Sequence, residues 1–197
     1  MKADHYDSFA ESYSAENESS LLNAYYERPA MVALAGDVEG RRILDVGCGA
    51  GPLSAALSTK GAIMTGLDSS PAMLELARQR LGAAAELYLA DLGKPLPFAG
   101  GSFDDVVSSL VLHYLEDWSA PLAELRRVLK PGGRLFAEES YAPFITHPVW
   151  RRLLHHPQED RFDHGGLLAE LSTQHFHVRD QRRMGGGLGW LVADKAL

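Results

Sequence analysis

The stretch RRILDVGCGAG, residues 41–51, decides the fold of this chain. Its first half is a short, mostly apolar run of the kind that forms a buried parallel strand. Residues 52–60, PLSAALSTK, follow with apolar side chains at helical spacing. Between the two, Gly47, Gly49 and Gly51 allow a tight turn and the close approach of a ligand to the backbone. We therefore predict a strand, a turn and a helix, with the function beginning at the turn.

A second apolar segment, AIMTGLD at residues 62–68, ends in an acidic residue. The helix after the glycine turn directs free N–H groups toward a ligand, which favours a nucleotide-like or carboxylate-bearing occupant. Asp68 can accept hydrogen bonds from both ribose hydroxyls of such a ligand. The glycines follow a GxGxG spacing, whereas the dinucleotide fingerprint needs its third glycine one place later, where Pro52 stands.

Four ordered motifs make a family resemblance specific: LDVGCGAG, GLDSSPAML, LADLGKPLPFAGGSFDDVVSSLVLHYL and ELRRVLKPGGRLFAEE. Over residues 6–140 the series resembles the class I S-adenosylmethionine-dependent methyltransferases, most closely the small-molecule and quinone-type, type 11-like group. The resemblance implies an α/β three-layer sandwich with a Rossmann-like, seven-stranded, mostly parallel sheet and an antiparallel C-terminal strand. It also implies S-adenosyl-L-methionine as cofactor and methyl transfer to an O, N or C atom of a small metabolite.

The resemblance also implies a set of cofactor contacts. Asp91, at the end of a third strand, matches the acid that accepts from the adenine amino group, and the Leu92 N–H matches the donor to a ring nitrogen. Met73 matches an adenine-face residue, with a core role as the open alternative. Arg28 of YYERP matches an arginine for the methionine carboxylate, with a surface role open, and Tyr13 is a hydroxyl candidate. The full expected set is Asp45, Gly47, Cys48, Gly49, Asp68, Ser69, Met73, Asp91, Leu92, Leu110, Arg28 and Tyr13.

A fourth strand, DDVVSSLVL at residues 104–112, leads into His113. A side chain just past this strand lies over the point where the methyl group emerges, so His113 is the candidate general base. Its ordinary pKa of ~6.5 suits that role near neutral pH. A pocket-wall role for the ring stays open. Glu138 and Glu139 end a fifth strand. They could line the substrate side, but we expect them to form a solvated rim.

The domain expectation is one unit over residues 1–197. Residues 1–36 form a helical cover over the cofactor, and residues 41–140 form the binding core. Residues 141–164 form a short lid-like segment with Phe144 and Trp150 as candidate substrate contacts. Residues 165–197 form a helix and a terminal hairpin.

Composition narrows the partners. A net charge of −7 provides no general attraction to nucleic acid or anionic lipid, and no apolar run approaches membrane length. The one cysteine and the absence of a signal region indicate a cytoplasmic protein, and the histidine spacing supports no metal. A small-molecule acceptor and a monomer or homodimer are expected. Two alternatives stay open: a non-catalytic binding module for the same cofactor, and an NAD(P)-dependent oxidoreductase.

Overall fold

The computed structural model describes residues 10–11, 14, 28–140, 163–184 and 188–196. Its α-helices are α1 Arg28–Ala35, α2 Pro52–Ser58, α3 Pro71–Leu81, α4 Ser119–Val128 and α5 His164–Thr173. Its strands are β1 Arg42–Val46, β2 Ile63–Asp68, β3 Ala85–Leu89, β4 Phe103–Ser109, β5 Leu129–Ser140, β6 Phe176–Met184 and β7 Leu188–Lys195. Short 3-10 turns cover Gly82–Ala84 and Leu112–Tyr114.

The strands form one sheet in the order β3-β2-β1-β4-β5-β7-β6. The pairs from β3 to β5 are parallel, whereas β7 runs antiparallel to both β5 and β6. This arrangement confirms the expected mostly parallel sheet with one antiparallel C-terminal strand. Because all the parallel strands end at one edge, the residues that follow β1, β2, β3 and β4 meet there, beside the last residues of β5.

Apolar residues alternate between the two faces of the sheet, as the period of a strand requires. One face carries Leu44 and Val106 in a cluster with residues of α4 and α5. The other carries Ile43, Val107 and Phe136 in a cluster with residues of α1 and α2. Helices therefore cover both faces, which confirms the three-layer sandwich.

The ends of α3 follow the sequence closely. The Oγ of Ser70 accepts a hydrogen bond from the Met73 N–H at 3.1 Å, and Pro71 occupies the first turn, where it loses no helical hydrogen bond. Gly82 follows the last residue with a positive φ of 55°. A serine cap followed by proline, and a glycine after the last residue, are therefore the sequence signals that bound this helix.

The fourth strand is shorter than predicted. It ends at Ser109 because Leu110 has a φ of 57°, a conformation that no strand residue adopts. The chain then turns through Leu112–Tyr114, so His113 lies in a 3-10 turn rather than at a strand end. The third strand also ends early, at Leu89, and places Asp91 two residues beyond it.

A network of charged residues stabilises the opposite, amino-terminal edge of the sheet. The fully buried Asp105 carboxylate accepts from the Arg41 Nε at 2.5 Å and from the Arg134 Nε and Nη2 at 2.7 Å each. Burial of a carboxylate is costly unless it is paired, and two guanidinium groups provide the pairing. These residues support the fold far from the carboxyl-terminal edge.

Candidate functional site

The glycine turn after β1 has positive φ values of 69° at Gly47 and 53° at Gly49. The N–H groups of Gly47 and Cys48 donate to the Leu67 carbonyl at 2.8 and 3.0 Å, which fixes the turn against β2. A Cβ at Gly47 would lie 2.4 Å from the Val111 Cγ2 atom, whereas a Cβ at Gly49 would meet no atom within 4 Å. The turn is therefore closed on its Gly47 side and open at Gly49.

Asp68 connects this turn to the start of α3. Its Oδ2 accepts from the Gly49 N–H and its Oδ1 from the Ser70 N–H, each at 2.9 Å. The residue is 7% exposed, at the carboxyl end of β2. Its carboxylate is held by backbone groups on two elements, so its position is set by the fold. Ser69, half-buried, begins the connection to α3.

Asp45 lies on β1 just before the turn and is buried. The Oγ of Ser54 on α2 donates to its Oδ2 at 2.6 Å. Burial, reinforced by the nearby Asp68 charge, raises the pKa of Asp45 to about 6, against the opposing effect of Ser54. The two carboxyl groups give the turn a negative environment that favours a cationic ligand.

Three further members of the expected set are buried against the site. Met73 packs with Ala50 of the turn and with Ala10, and Leu92 belongs to the core that contains Leu44. The Cys48 thiol is directed at β2, where a Cβ at Gly66 would lie 2.9 Å from its sulfur. Burial raises the pKa of this thiol well above its ordinary value. Cys48 thus has the surroundings of a packing residue rather than of a nucleophile.

Asp91 reaches the same edge of the sheet from β3. The Ala90 N–H donates to the Asp68 carbonyl at 3.0 Å, so the chain beyond β3 stays beside the end of β2. The Asp91 Oδ1 accepts from the Gly93 N–H at 2.9 Å, and the Lys94 ammonium lies 3.9 Å from its Oδ2. Its side chain is 39% exposed. The structure brings Asp68 and Asp91 together at one edge but leaves Asp91 more open to solvent.

His113 is buried and paired with Glu139 of β5. The Glu139 Oε2 lies 2.7 Å from the His113 Nδ1, and the same carboxylate accepts from the Leu112 N–H at 2.8 Å and the His113 N–H at 3.3 Å. An ionised Glu139 favours the tautomer with hydrogen on Nδ1. Glu139 therefore orients both the ring and the turn that carries it.

The expectation of a solvated rim at Glu138 and Glu139 is wrong. Glu138 is 0% and Glu139 is 3% exposed. The error arose because neither partner is close in sequence: Glu139 contacts His113, and the Glu138 Oε2 accepts from the Ser109 Oγ at 2.8 Å. Their position at the carboxyl end of a parallel strand was the sequence feature that could have predicted a place in the site.

The remaining candidates are placed as follows. Leu110 lies directly after β4, and its N–H donates to the Glu138 carbonyl at 2.8 Å. Arg28 begins α1, which packs against β5. Tyr13 and the lid-like residues 141–162, with Phe144 and Trp150, lie outside the described residues. No helix in the described ranges is long and apolar enough to cross a membrane.

Parts of this chain are similar to known proteins. Residues 44–137 match the family model described as methyltransferase domain. The chain is 35% identical over 137 residues to demethylmenaquinone methyltransferase of Tropheryma whipplei, covering 69% of this chain and 57% of that protein. It is 43% identical over 94 residues to malonyl-[acyl-carrier protein] O-methyltransferase of Serratia marcescens, covering 48% and 36%. The chain thus spans less than two thirds of the length of these relatives.

A solved structure gives the same architecture. A SAM-dependent methyltransferase from Aquifex aeolicus superposes with a TM-score of 0.78 at 19% identity, covering 95% of this chain and 98% of that one. At this identity the likeness establishes the fold. The matched residues 44–137 include the glycine turn and the acids Asp45 and Asp68.

Proposed function

We propose that this chain is an S-adenosylmethionine-dependent methyltransferase that transfers a methyl group to an O, N or C atom of a small metabolite, as the methyltransferase-domain match over residues 44–137 and the similar methyltransferases support. The observation that carries the proposal is Asp68, whose carboxylate is fixed by the Gly49 and Ser70 N–H groups beside an open glycine turn. A carboxylate at that place suits the paired hydroxyls of a ribose.

The residues present fit the cofactor. The open space at Gly49 leaves the backbone accessible, and the acids Asp45 and Asp68 suit a ligand with a cationic centre. In this proposal Asp68 holds the ribose, Asp91 and the Leu92 N–H hold the adenine, and the glycine turn supports the methionine part. Met73, Ser69 and Leu110 line the cofactor, and Arg28 and Tyr13 bind its carboxylate. The cofactor supplies an already activated methyl group on sulfur.

The chain then has to align the acceptor and exclude water. An acceptor that reacts through a protonated atom also needs a base. We assign His113 as a candidate base whose ring is held by Glu139. A nucleophile without a proton needs no such group, so an obligatory catalytic triad is not required.

The acceptor class is inferred from the relatives and from the charge of the chain. The two relatives are named for demethylmenaquinone and malonyl-[acyl-carrier protein], which are chemically different acceptors. The net charge of −7 favours a small molecule over nucleic acid or a membrane surface. We propose a single methyltransferase domain that acts in the cytoplasm as a monomer or homodimer.

Calorimetric titration with S-adenosylhomocysteine tests the site. Binding should disappear in Asp68→Ala and weaken in Asp91→Ala, since Asp91 is the more exposed acid. Asp180→Ala, on the distant strand β6, is the matched control and should bind like the wild type. Circular dichroism confirms that each variant is folded. Undiminished binding in both site variants refutes the assignment.

The two alternatives make different predictions. An NAD(P)-dependent oxidoreductase should bind NADH and ignore S-adenosylhomocysteine; it is not favoured, because of the family match and the antiparallel β7. A non-catalytic binding module should bind S-adenosylmethionine without ever producing S-adenosylhomocysteine. Product formation across a panel of small acceptors separates a module from an enzyme.

A further inference from the structure

Ser109, Glu138 and Trp190 lie side by side near the carboxyl-terminal edge of the sheet. Ser109 on β4 is paired with Glu138 on β5, and Glu138 is paired with Trp190 on β7. All three side chains are on the face that carries Phe136, because positions two apart on a strand share a face. They form one row across three adjacent strands.

The Glu138 carboxyl group is fully buried beside two hydrogen-bonding side chains of the neighbouring strands. Its Oε2 accepts from the Ser109 Oγ at 2.8 Å, and the Trp190 side chain is a further donor to the carboxyl group. Its Oε1 is also buried, and no residue in the described ranges makes a hydrogen bond of normal geometry to it. Each carboxylate oxygen can accept more than one hydrogen bond, so Oε1 keeps the capacity to accept from a ligand.

The charges around Glu138 make its proton easy to exchange. Burial and, to a smaller extent, the neighbouring Glu139 charge raise the pKa of Glu138 to about 7, against the opposing hydrogen bonds of Ser109 and Trp190. None of these groups is a cation. Glu139 in turn contacts His113, and Arg28 begins the helix packed against β5.

The row is placed on the acceptor side of the proposed cofactor site. Val46 is paired with Ser108, so Gly47 is level with Ser109. Glu138 is two strand spacings from the glycine turn, roughly 10 Å. Asp68 and Asp91 lie on the other side of the turn, after β2 and β3. A ligand whose adenosine end is held by those acids has its methyl end toward β4 and β5.

We propose that the Oε1 atom of Glu138 binds an O–H or N–H group of the methyl acceptor and takes its proton during transfer. This inference rests on the proposed function and specifies its acceptor. It assigns the base to Glu138 in place of His113, whose ring then forms part of the pocket wall. The acceptor's X–H bond breaks, and its electron pair stays on X as X bonds to the methyl carbon. The methyl–sulfur bond breaks with its pair on sulfur, and the proton moves to Glu138.

This assignment selects among acceptors. A phenol, a hydroquinone or an amine presents a hydrogen to the buried oxygen, whereas a carboxylate would place a third negative charge beside Glu138 and Glu139. The acceptor is therefore a neutral hydrogen-bond donor rather than an acid. Ser109, which holds the other oxygen, is a positioning residue.

The test uses the full chain saturated with S-adenosylhomocysteine, with phenol, aniline and benzoate as probes. Infrared difference spectra follow the carboxylic-acid C=O band near neutral pH. Phenol or aniline should change a carboxylic-acid band of the wild type, and benzoate should leave that band unchanged. The band should be absent from Glu138→Gln and displaced in Ser109→Ala. Glu75→Gln, an exposed helical acid, should match the wild type.

Affinity and turnover provide a second readout. Glu138→Leu should lose roughly tenfold in affinity for the bound probe, while Glu138→Gln, whose amide oxygen still accepts a hydrogen bond, should keep it. With a phenol or amine that is turned over, Glu138→Gln should lower kcat roughly 100-fold with KM little changed. A pH profile that rises through neutrality in the wild type should flatten in this variant.

The outcomes separate the two proposals. If the wild type does not bind S-adenosylhomocysteine, the proposed function fails. If the wild type binds S-adenosylhomocysteine but neither phenol nor aniline alters its carboxylic-acid band, the role of Glu138 is overturned. The same conclusion follows if the probes cause the same spectral change in Glu138→Gln as in the wild type. If Glu138→Gln does not fold, the smaller change Ser109→Ala tests the role of Glu138. An undisplaced carboxylic-acid band in that variant overturns the role.

Discussion

Replacing Gly49 by alanine should separate ligand binding from stability. The new Cβ would meet no protein atom within 4 Å, so it enters the space that the proposed cofactor occupies. The cost to the fold is the left-handed φ of 53°, which for alanine is about 1–2 kcal/mol. We therefore expect a folded protein with a modest loss of stability and a large loss of affinity.

The matched variant is Gly47→Ala, in the same turn. Its φ is 69°, and its Cβ would lie 2.4 Å from the Val111 Cγ2 atom. Overpacking adds about 1–3 kcal/mol to the same backbone cost, for a total of about 2–5 kcal/mol. With about 2–4 °C per kcal/mol for a chain of this size, Tm should fall by about 4–20 °C, against about 2–8 °C for Gly49→Ala.

Differential scanning calorimetry gives Tm, and titration with S-adenosylhomocysteine gives Kd for the folded protein. Gly49→Ala should raise Kd at least tenfold, which corresponds to about 1.4 kcal/mol or more. If Gly49→Ala binds as tightly as the wild type, the turn does not hold the ligand. If both variants lose the same stability, the packing of Gly47 against Val111 is misjudged.

Three further results follow from buried charges and a buried thiol. Asp105→Asn removes the charge that pairs with Arg41 and Arg134, so urea denaturation should show a loss of about 3 kcal/mol in the free energy of unfolding. The affinity for S-adenosylhomocysteine should not change, because the proposed site is at the opposite edge of the sheet. The pKa of Glu138 is about 7 in the folded protein against an ordinary 4.5, so the folded state loses stability as pH rises between those values. Glu138→Gln should therefore be more stable than the wild type at pH 8, by about 3 kcal/mol, and nearly equal at pH 5; the same difference at both pH values contradicts this. Cys48 should react with a thiol reagent only after unfolding, and labelling of the native protein contradicts its burial.

Much of the fold was predictable because its signals are local. The Ser70–Pro71 start of α3 and its stop at Gly82 depend on neighbours within a few residues. The hairpin of β6 and β7 was predicted from two strand-like segments joined by three glycines. The end of β4 was misplaced because Leu110 has a positive φ that its residue type does not indicate.

The sequence by itself determined the glycine turn, the acid after β2 and the order of strands and helices, since each is written in a short contiguous pattern. Only the tertiary structure decided which acids at the end of β5 are buried and what they contact. Glu139 meets His113 across 26 residues of chain, and Glu138 meets Ser109 across 29. The pairing of β4 with β5 creates these contacts, and it depends on the packing of the whole sheet rather than on local preference.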